Sequence, residues 1–404
     1  MRRLLRAAPF VLFAAALVSL VLPRRAQTVP LYAARTGLMC QSCHFDPNGG
    51  GPRNEFGFNY AKNRHALEPE TGEKPWGELN LTNRVAENFP LYFSVNQRFM
   101  LLANTTVKSD SLDRFGFFSM ENALHMAFQP HSKLTLVYTR DGFDAGSSSK
   151  EAFGMITLPG GGYLKAGRIR TPFGLRMDDH TVATRNSFLD FSGDPFNPPR
   201  FLPYNSRTPD MGLEYGMDHG MWFARAAFTN GESWPLNVGF GSPFAQAKTL
   251  KLGVNMPSYQ GSVSVYDDFR NQVSFTDPLG RQRVTRWGYY GLTHWKQFAA
   301  LGEIAAGTDQ AFDGGKTNLL AAFGELNYAA SRSCNFRARL DRVELDRNSD
   351  SAVREANTHN RYSIEGEWVP VPFAELRWTY RRIDHKDDAV KDENQAYLQF
   401  HFTY

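Results

Sequence analysis

Two cysteines followed at once by a histidine, Cys40-Gln41-Ser42-Cys43-His44, are the residues of this chain best spaced to do chemistry. Each thiol of such a pair can add to one vinyl group of a haem, and two intervening residues let both sulfurs reach the same edge of the ring. The imidazole of His44 then meets the iron from below. The pattern predicts one covalent haem c held by Cys40, Cys43 and His44. A redox or disulfide pair is the competing reading of the same thiols. Three cysteines in all are an odd count that suits no disulfide framework, and Cys334, in a strand-like stretch, reads as a small packed residue.

The stretch after the motif, Phe45-Asp46-Pro47-Asn48-Gly49-Gly50-Gly51-Pro52-Arg53, suits a flat macrocycle. Glycines let the backbone approach closely, and prolines keep regular structure from pulling it away. Arg53 is the candidate partner of a haem propionate, against the plainer reading of a solvated loop charge. For the sixth iron position His65 is the nearest downstream imidazole, with an exposed histidine as the alternative reading. His125 and Met100 compete for the same role, since both fall on the inward face of the strands described next.

The segment that must position these residues follows an export-like start. Arg2, Arg3 and Arg6 form a basic region, and Ala7 to Leu22 is apolar apart from Pro9 and Ser19. This reads as a signal peptide over residues 1–26, cut after Ala26, or else as a retained anchor. No later run is long enough for a membrane helix, so a membrane role would fall to strands. The 45 basic and 41 acidic residues are spread along the chain without a basic block, which argues against nucleic acid as a partner.

From about Trp76 the apolar residues alternate with polar ones, and turn formers break the pattern every ten to twelve residues. Leu91, Phe93, Val95 and Phe99 oppose Ser94, Asn96 and Arg98. Phe118, Met120, Leu124 and Met126 oppose Ser119, Glu121 and His125; Leu250, Leu252 and Val254 oppose Lys251 and Asn255. The last residues, Leu398, Phe400, Phe402 and Tyr404, alternate with Gln399, His401 and Thr403 and stop on a ring, a habit of outer-membrane barrels. An aromatic content of 14% fits girdles at two water–lipid boundaries, where a soluble sandwich or propeller is the alternative consumer. The fold class expected is all-β, a transmembrane antiparallel barrel of about 16 strands over residues 76–404, preceded by a monohaem segment at 27–75. The inward set mixes Arg98, Arg225, Arg337, Arg339, Arg377 and Arg381 with Glu121, Glu325, Asp341, Glu365 and Glu367, a lining able to hold a polar plug by charge pairs or to tune ion passage. The stretch from Asp190 to Asp210 reads as an outer or lumen-constricting loop. No constellation of catalytic residues stands out.

Residues 30–60, in particular Arg35-Thr36-Gly37, the haem motif, Phe56-Gly57 and Tyr60, resemble the start of the fused monohaem cytochrome-porins of iron-oxidising bacteria. The glycine-rich insert from Asp46 to Arg53 departs from that pattern. The resemblance implies an outer-membrane barrel with the haem segment in its lumen or at its mouth. It further implies electrons passing from an extracellular donor, such as ferrous iron, to a periplasmic carrier. Leu164 to Gly174 and Asp210 to Gly216 resemble phosphate-selective porins. The leading expectation is an electron conduit that cycles one iron and makes no bonds on a substrate. A solute porin with a haem-bearing plug or sensor is the runner-up, and a haem enzyme acting on a small molecule such as peroxide comes third.

Overall fold

The computed structural model describes residues 30–67, 81–106, 112–142, 148–175, 182–186, 201, 209–231, 247–269, 281–387 and 391–404. The expected signal peptide, with its cut after Ala26, lies outside the described residues, as does most of the stretch from Asp190 to Asp210.

Among the described residues three short helices precede the strands: α1 (Pro30–Thr36), α2 (Cys40–Cys43) and α3 (Glu55–Lys62). A three-residue strand, β1 (Arg84–Ala86), pairs with the start of the next. The wall then runs through β2 (Phe89–Thr106), β3 (Leu112–His131), β4 (Leu134–Asp141), β5 (Ser148–Thr157), β6 (Gly162–Ile169), β7 (Asp210–His219), β8 (Trp222–Thr229) and β9 (Ala247–Met256). It continues through β10 (Tyr259–Phe269), β11 (Arg281–Trp295), β12 (Phe298–Ala311), β13 (Lys316–Ser331), β14 (Cys334–Glu344), β15 (Thr358–Val371), β16 (Ala374–His385) and β17 (Glu393–Thr403). Two more short helices, α4 (Ala183–Asn186) and α5 (Ser351–Ala356), lie in connections. Each strand from β2 to β17 pairs antiparallel with the next, and β17 pairs back onto β2. The result is a closed antiparallel barrel of 16 strands. Closure gives every wall strand two neighbours, which is the condition for strands to cross a layer without water.

Alternation decides which way each side chain faces. On β7, Leu213 and Tyr215 are 52% and 46% exposed while Glu214 between them is fully buried. On the last strand Phe400 and Phe402 face out, and Gln399, His401 and Thr403 face in. One expectation fails for a local reason. The β2–β3 ladder slips between Arg98↔Glu121 and Phe99↔Ser119. This bulge inverts the phase of β3, so Ser119 is on the outer face with Phe115 and Phe117, the reverse of its expected place.

Connections 132–133, 158–161, 220–221, 257–258, 296–297, 332–333 and 372–373 all fall at one rim, where β2 begins and β17 ends. The longer connections fall at the other rim. The described residues of one of them, between β6 and β7, turn inward. Phe173, Val182, Ala183, Arg185 and Phe201 are buried, and Arg185 Nη1 lies 3.1 Å from Glu303 Oε1 on β12. Arg286 Nε donates to the Phe201 carbonyl at 2.7 Å, so the part of the expected constricting loop that is described does line the lumen.

Candidate cofactor site in the lumen

The Cys40–Cys43 turn is fixed from three sides. Before it, α1 ends at Gly37, whose φ of +73° permits the left-handed helix stop and whose N–H donates to Ala33 O at 2.8 Å. After it, His44 takes extended backbone angles, and the chain loops back so that Arg53 bridges His44 and Asn54 N donates to Cys43 O at 3.0 Å. Asn54 then caps α3: its side-chain oxygen accepts from Gly57 N at 2.9 Å, and its amide donates to Ser42 O at 3.0 Å. Gly57 is pressed onto the turn so closely that a Cβ there would lie 2.2 Å from Cys43 O. Cys43 is buried, Cys40 is half-buried, and neither thiol is in a disulfide.

The segment is enclosed by the barrel. Ala34 joins an apolar cluster with Phe223, Tyr290, Leu292, Ala299, Leu301 and Phe323 of the wall and Val182 of the inserted loop. Lys165 Nζ on β6 lies 3.0 Å from Asp46 Oδ2 and 3.0 Å from Glu214 Oε2 on β7. Asn48 Nδ2 donates to Glu214 Oε1 at 2.6 Å. At the short-turn rim Phe58 packs on Phe373 and Tyr404, with ring centroids 5.0 and 5.3 Å away. Arg64 Nη1 donates to Pro370 O at 3.3 Å. Contacts on β6, β7, β11, β12 and the β15–β16 turn place the segment inside the cylinder. It meets the inserted loop there, so the described lumen is filled from both ends.

Beside Cys43 lies a set of polar atoms that the described residues leave without hydrogen bonds. Arg35 Nε and Nη2, Arg53 Nη1 and Tyr60 Oη are all buried and lack partners among the described residues. Arg53 and Tyr60 each interact electrostatically with Cys43, and Arg35 with Tyr60. Burial lowers the Arg53 guanidinium from its usual range and raises the Tyr60 hydroxyl. A buried donor without an acceptor costs roughly 1–3 kcal/mol, more when charged. Glu375 already acts on Arg53 and Glu367 on Arg35, and the donors without hydrogen bonds have capacity for a further anionic group. The two thiols, the next imidazole and these donors together fit a haem c, whose carboxylates would take the cations.

His65 is brought into the same neighbourhood, though into a different cluster. Its Nδ1 is hydrogen-bonded to the Tyr32 hydroxyl at 2.7 Å, and its ring lies 4.4 Å from Tyr32 and 5.8 Å from Tyr60. Burial pushes its pKa down to about 3, against the pull of Glu375. His65, Glu367 and Glu375 offer ligand atoms within 4.8 Å of one another. Tyr32 rises well above its usual range, first through burial and then through the Glu367 carboxylate. Of the competing sixth-position candidates, Met100 is buried on the inward face of β2. His125 is hydrogen-bonded within the wall, to Thr139 Oγ1 at 3.0 Å and Asn96 Nδ2 at 3.2 Å.

The inward charges neutralise one another as ladders. Arg337 Nε meets Glu365 Oε2 at 3.0 Å, Arg339 Nε meets Asp341 Oδ2 at 3.0 Å, and Arg98 Nη2 meets Glu121 Oε2 at 3.4 Å. Sequence reasoning placed these residues on the inner face but missed Lys165, Asp46 and Glu214. Alternation puts Lys165 inside, and nothing local tells which loop residue it meets. Arg35 and Tyr60 were noticed only as parts of a resemblance; their buried unmatched donors appear only once the helices are docked.

No family profile and no curated protein matches the chain. Its fold is similar to solved outer-membrane barrels. In-vitro folded OmpT of Vibrio cholerae superposes with a TM-score of 0.55 at 11% identity, covering 78% of this chain and 97% of that one. An anion-selective porin from Comamonas acidovorans gives 0.56 at 8% identity, covering 78% and 99%. The outer-membrane channel DcaP of Acinetobacter baumannii gives 0.52 at 12% identity, covering 78% and 96%. The chain thus has the fold of outer-membrane porins and channels.

Proposed function

We propose that this chain is a bacterial outer-membrane barrel that carries one haem c in its lumen and conducts electrons between an extracellular donor and a periplasmic carrier. Cys40 and Cys43 would hold the porphyrin by thioethers, His44 would bind the iron, and Arg53, Arg35 and Tyr60 would take its carboxylates. The group would supply a one-electron couple. The residues around it bury that couple, exclude water and fix its orientation. Ferrous iron is the donor that the resemblance at Arg35 to Tyr60 brings forward, and His65, neutral at pH 7, is the candidate for the remaining iron position.

The observation that carries this reading is the buried, unmatched donor set beside Cys43, inside a cylinder rather than outside it. A hydrocarbon layer about 30 Å thick is more than one haem covers, so a centre held within the lumen shortens the gap on both sides. The fold's likeness to porins and channels favours the second reading, a solute porin whose N-terminal segment is a plug. The two readings part in one experiment. Purified protein is tested for a haem-stained band after denaturing electrophoresis, then mixed with ferrous iron in a stopped flow while haem absorbance is followed. Reduction within the turnover time supports the conduit. A band-free protein that passes ions across a planar bilayer would leave only the porin.

A further inference from the structure

A second group of side chains, unconnected with the N-terminal segment, sits at the opposite rim. His359 near the start of β15 and His385 at the end of β16 are cross-strand partners in the ladder. Both face inward and are almost wholly buried. Their Nδ1 atoms are 2.9 Å apart and their rings stand edge to face at 4.9 Å. Behind His385, Glu393 of β17 holds Oε1 3.9 Å from Nε2. Glu393 is itself positioned by Asn104 Nδ2 at 3.1 Å and Gln395 Nε2 at 3.3 Å. Asp387, just past β16, acts electrostatically on His359.

Two imidazole nitrogens face each other here at hydrogen-bond distance. The spacing also admits a metal ion: bonds of about 2.0–2.1 Å at the right angle of a square-planar or octahedral site put two nitrogens about 2.9 Å apart. The ladder fixes both backbones, so little ordering remains to be done on binding. A ligating histidine usually points its other nitrogen at a carboxylate, which sets the tautomer and raises ligand basicity. Glu393 stands on that side of His385.

We propose that Nδ1 of His359 and Nδ1 of His385 bind one divalent first-row transition-metal ion near the long-loop rim. Glu393 stands behind His385, 3.9 Å from its other nitrogen, and water completes the shell. Imidazole pairs suit zinc, copper, nickel and iron rather than calcium or magnesium. With two fixed protein ligands and open positions, the site is built for a cation that arrives and leaves. It stands whether or not a haem is attached at Cys40 and Cys43.

Cobalt(II) titration of the detergent-purified chain, read by its visible absorption bands, tests the site. One cobalt per chain is expected, in the native protein and equally in the C40A/C43A variant. His359→Asn and His385→Asn should each abolish that uptake while far-UV circular dichroism stays that of a barrel. Glu393→Gln should weaken binding about 10–100-fold, as loss of an outer-shell partner does. His65→Gln, which alters the other cluster of potential ligands, should leave the titration unchanged. Folded His359→Asn and His385→Asn proteins that bind cobalt like the parent, or uptake lost only in His65→Gln, would overturn the proposal. Because the readout needs no haem, failure here and failure of the electron-transfer reading are separate results.

Discussion

Lys165 Nζ and Asp46 Oδ2, one on the barrel wall and the other in the loop behind the Cys40–Cys43 turn, are 3.0 Å apart with both side chains shut off from solvent. The same ammonium lies 3.0 Å from Glu214 Oε2, so it balances two buried carboxylates and latches the segment to β6 and β7. Removing one member of a buried pair typically costs about 3–5 kcal/mol, because the charge left behind stays buried. Lys165→Met should therefore loosen the segment while the wall, held by its ladder, persists. Faster proteolytic clipping within residues 30–67 and a higher single-channel conductance are the expected signs.

The donors beside Cys43 make a prediction of definite sign. A cation near a haem disfavours the extra positive charge of the oxidised iron, so its removal lowers the potential. For one charge some 10 Å away at an effective dielectric of 20 the effect is on the order of 1–2 kcal/mol. Arg35→Gln and Arg53→Gln should each shift the one-electron midpoint downward by that order in spectroelectrochemistry. An unchanged midpoint in both would remove these residues from the cofactor's surroundings.

Gly57 supports α3 by having no side chain. A methyl group there would stand 2.2 Å from Cys43 O, against backbone that is itself hydrogen-bonded. Gly57→Ala should push α3 off the cysteine turn and disturb the Phe58 contact with Phe373 and Tyr404. Reduced haem incorporation at unchanged barrel content, measured by the haem-to-protein absorbance ratio, is the expected result. Asn59→Ala, on the exposed side of the same helix, should have little effect.

The C40A/C43A protein should show an acid-sensitive plug. Docked His65 has its pKa pushed down to about 3, whereas in a released segment it would titrate near 6.5. Between those values the released form binds more protons, so docking weakens as pH falls from about 6.5 towards 3 and loses nothing further below. Limited proteolysis or conductance across this range should rise on acidification, and His65→Gln should flatten the response.

Much of the barrel could be read from alternation alone. A wall strand buries one face and shows the other to an apolar surround, so Leu213, Glu214 and Tyr215 declare their directions in the letters themselves. Ser119 did not, because a single bulge opposite Phe99 inverts the phase and no residue type there signals it. The cysteine turn was visible since its chemistry is set by spacing within five residues. The partners of Asp46 and Phe58 lie elsewhere in the chain, brought near by barrel closure, and such distances leave no local trace. Likewise, nothing in the letters ties His359 to His385, because their pairing depends on ladder register.

Phe58 rests against Tyr404, and β17, which ends beside that ring, is one half of the seam that joins the last strand to β2. Buried Cys43 lies behind α3, within the finished cylinder. Any enzyme that bonds a porphyrin to that sulfur must therefore act on an open chain. On the proposed haem reading, cofactor loading would come first and sealing of the seam second, and maturation of the N-terminal segment would be a checkpoint for assembly of the whole pore.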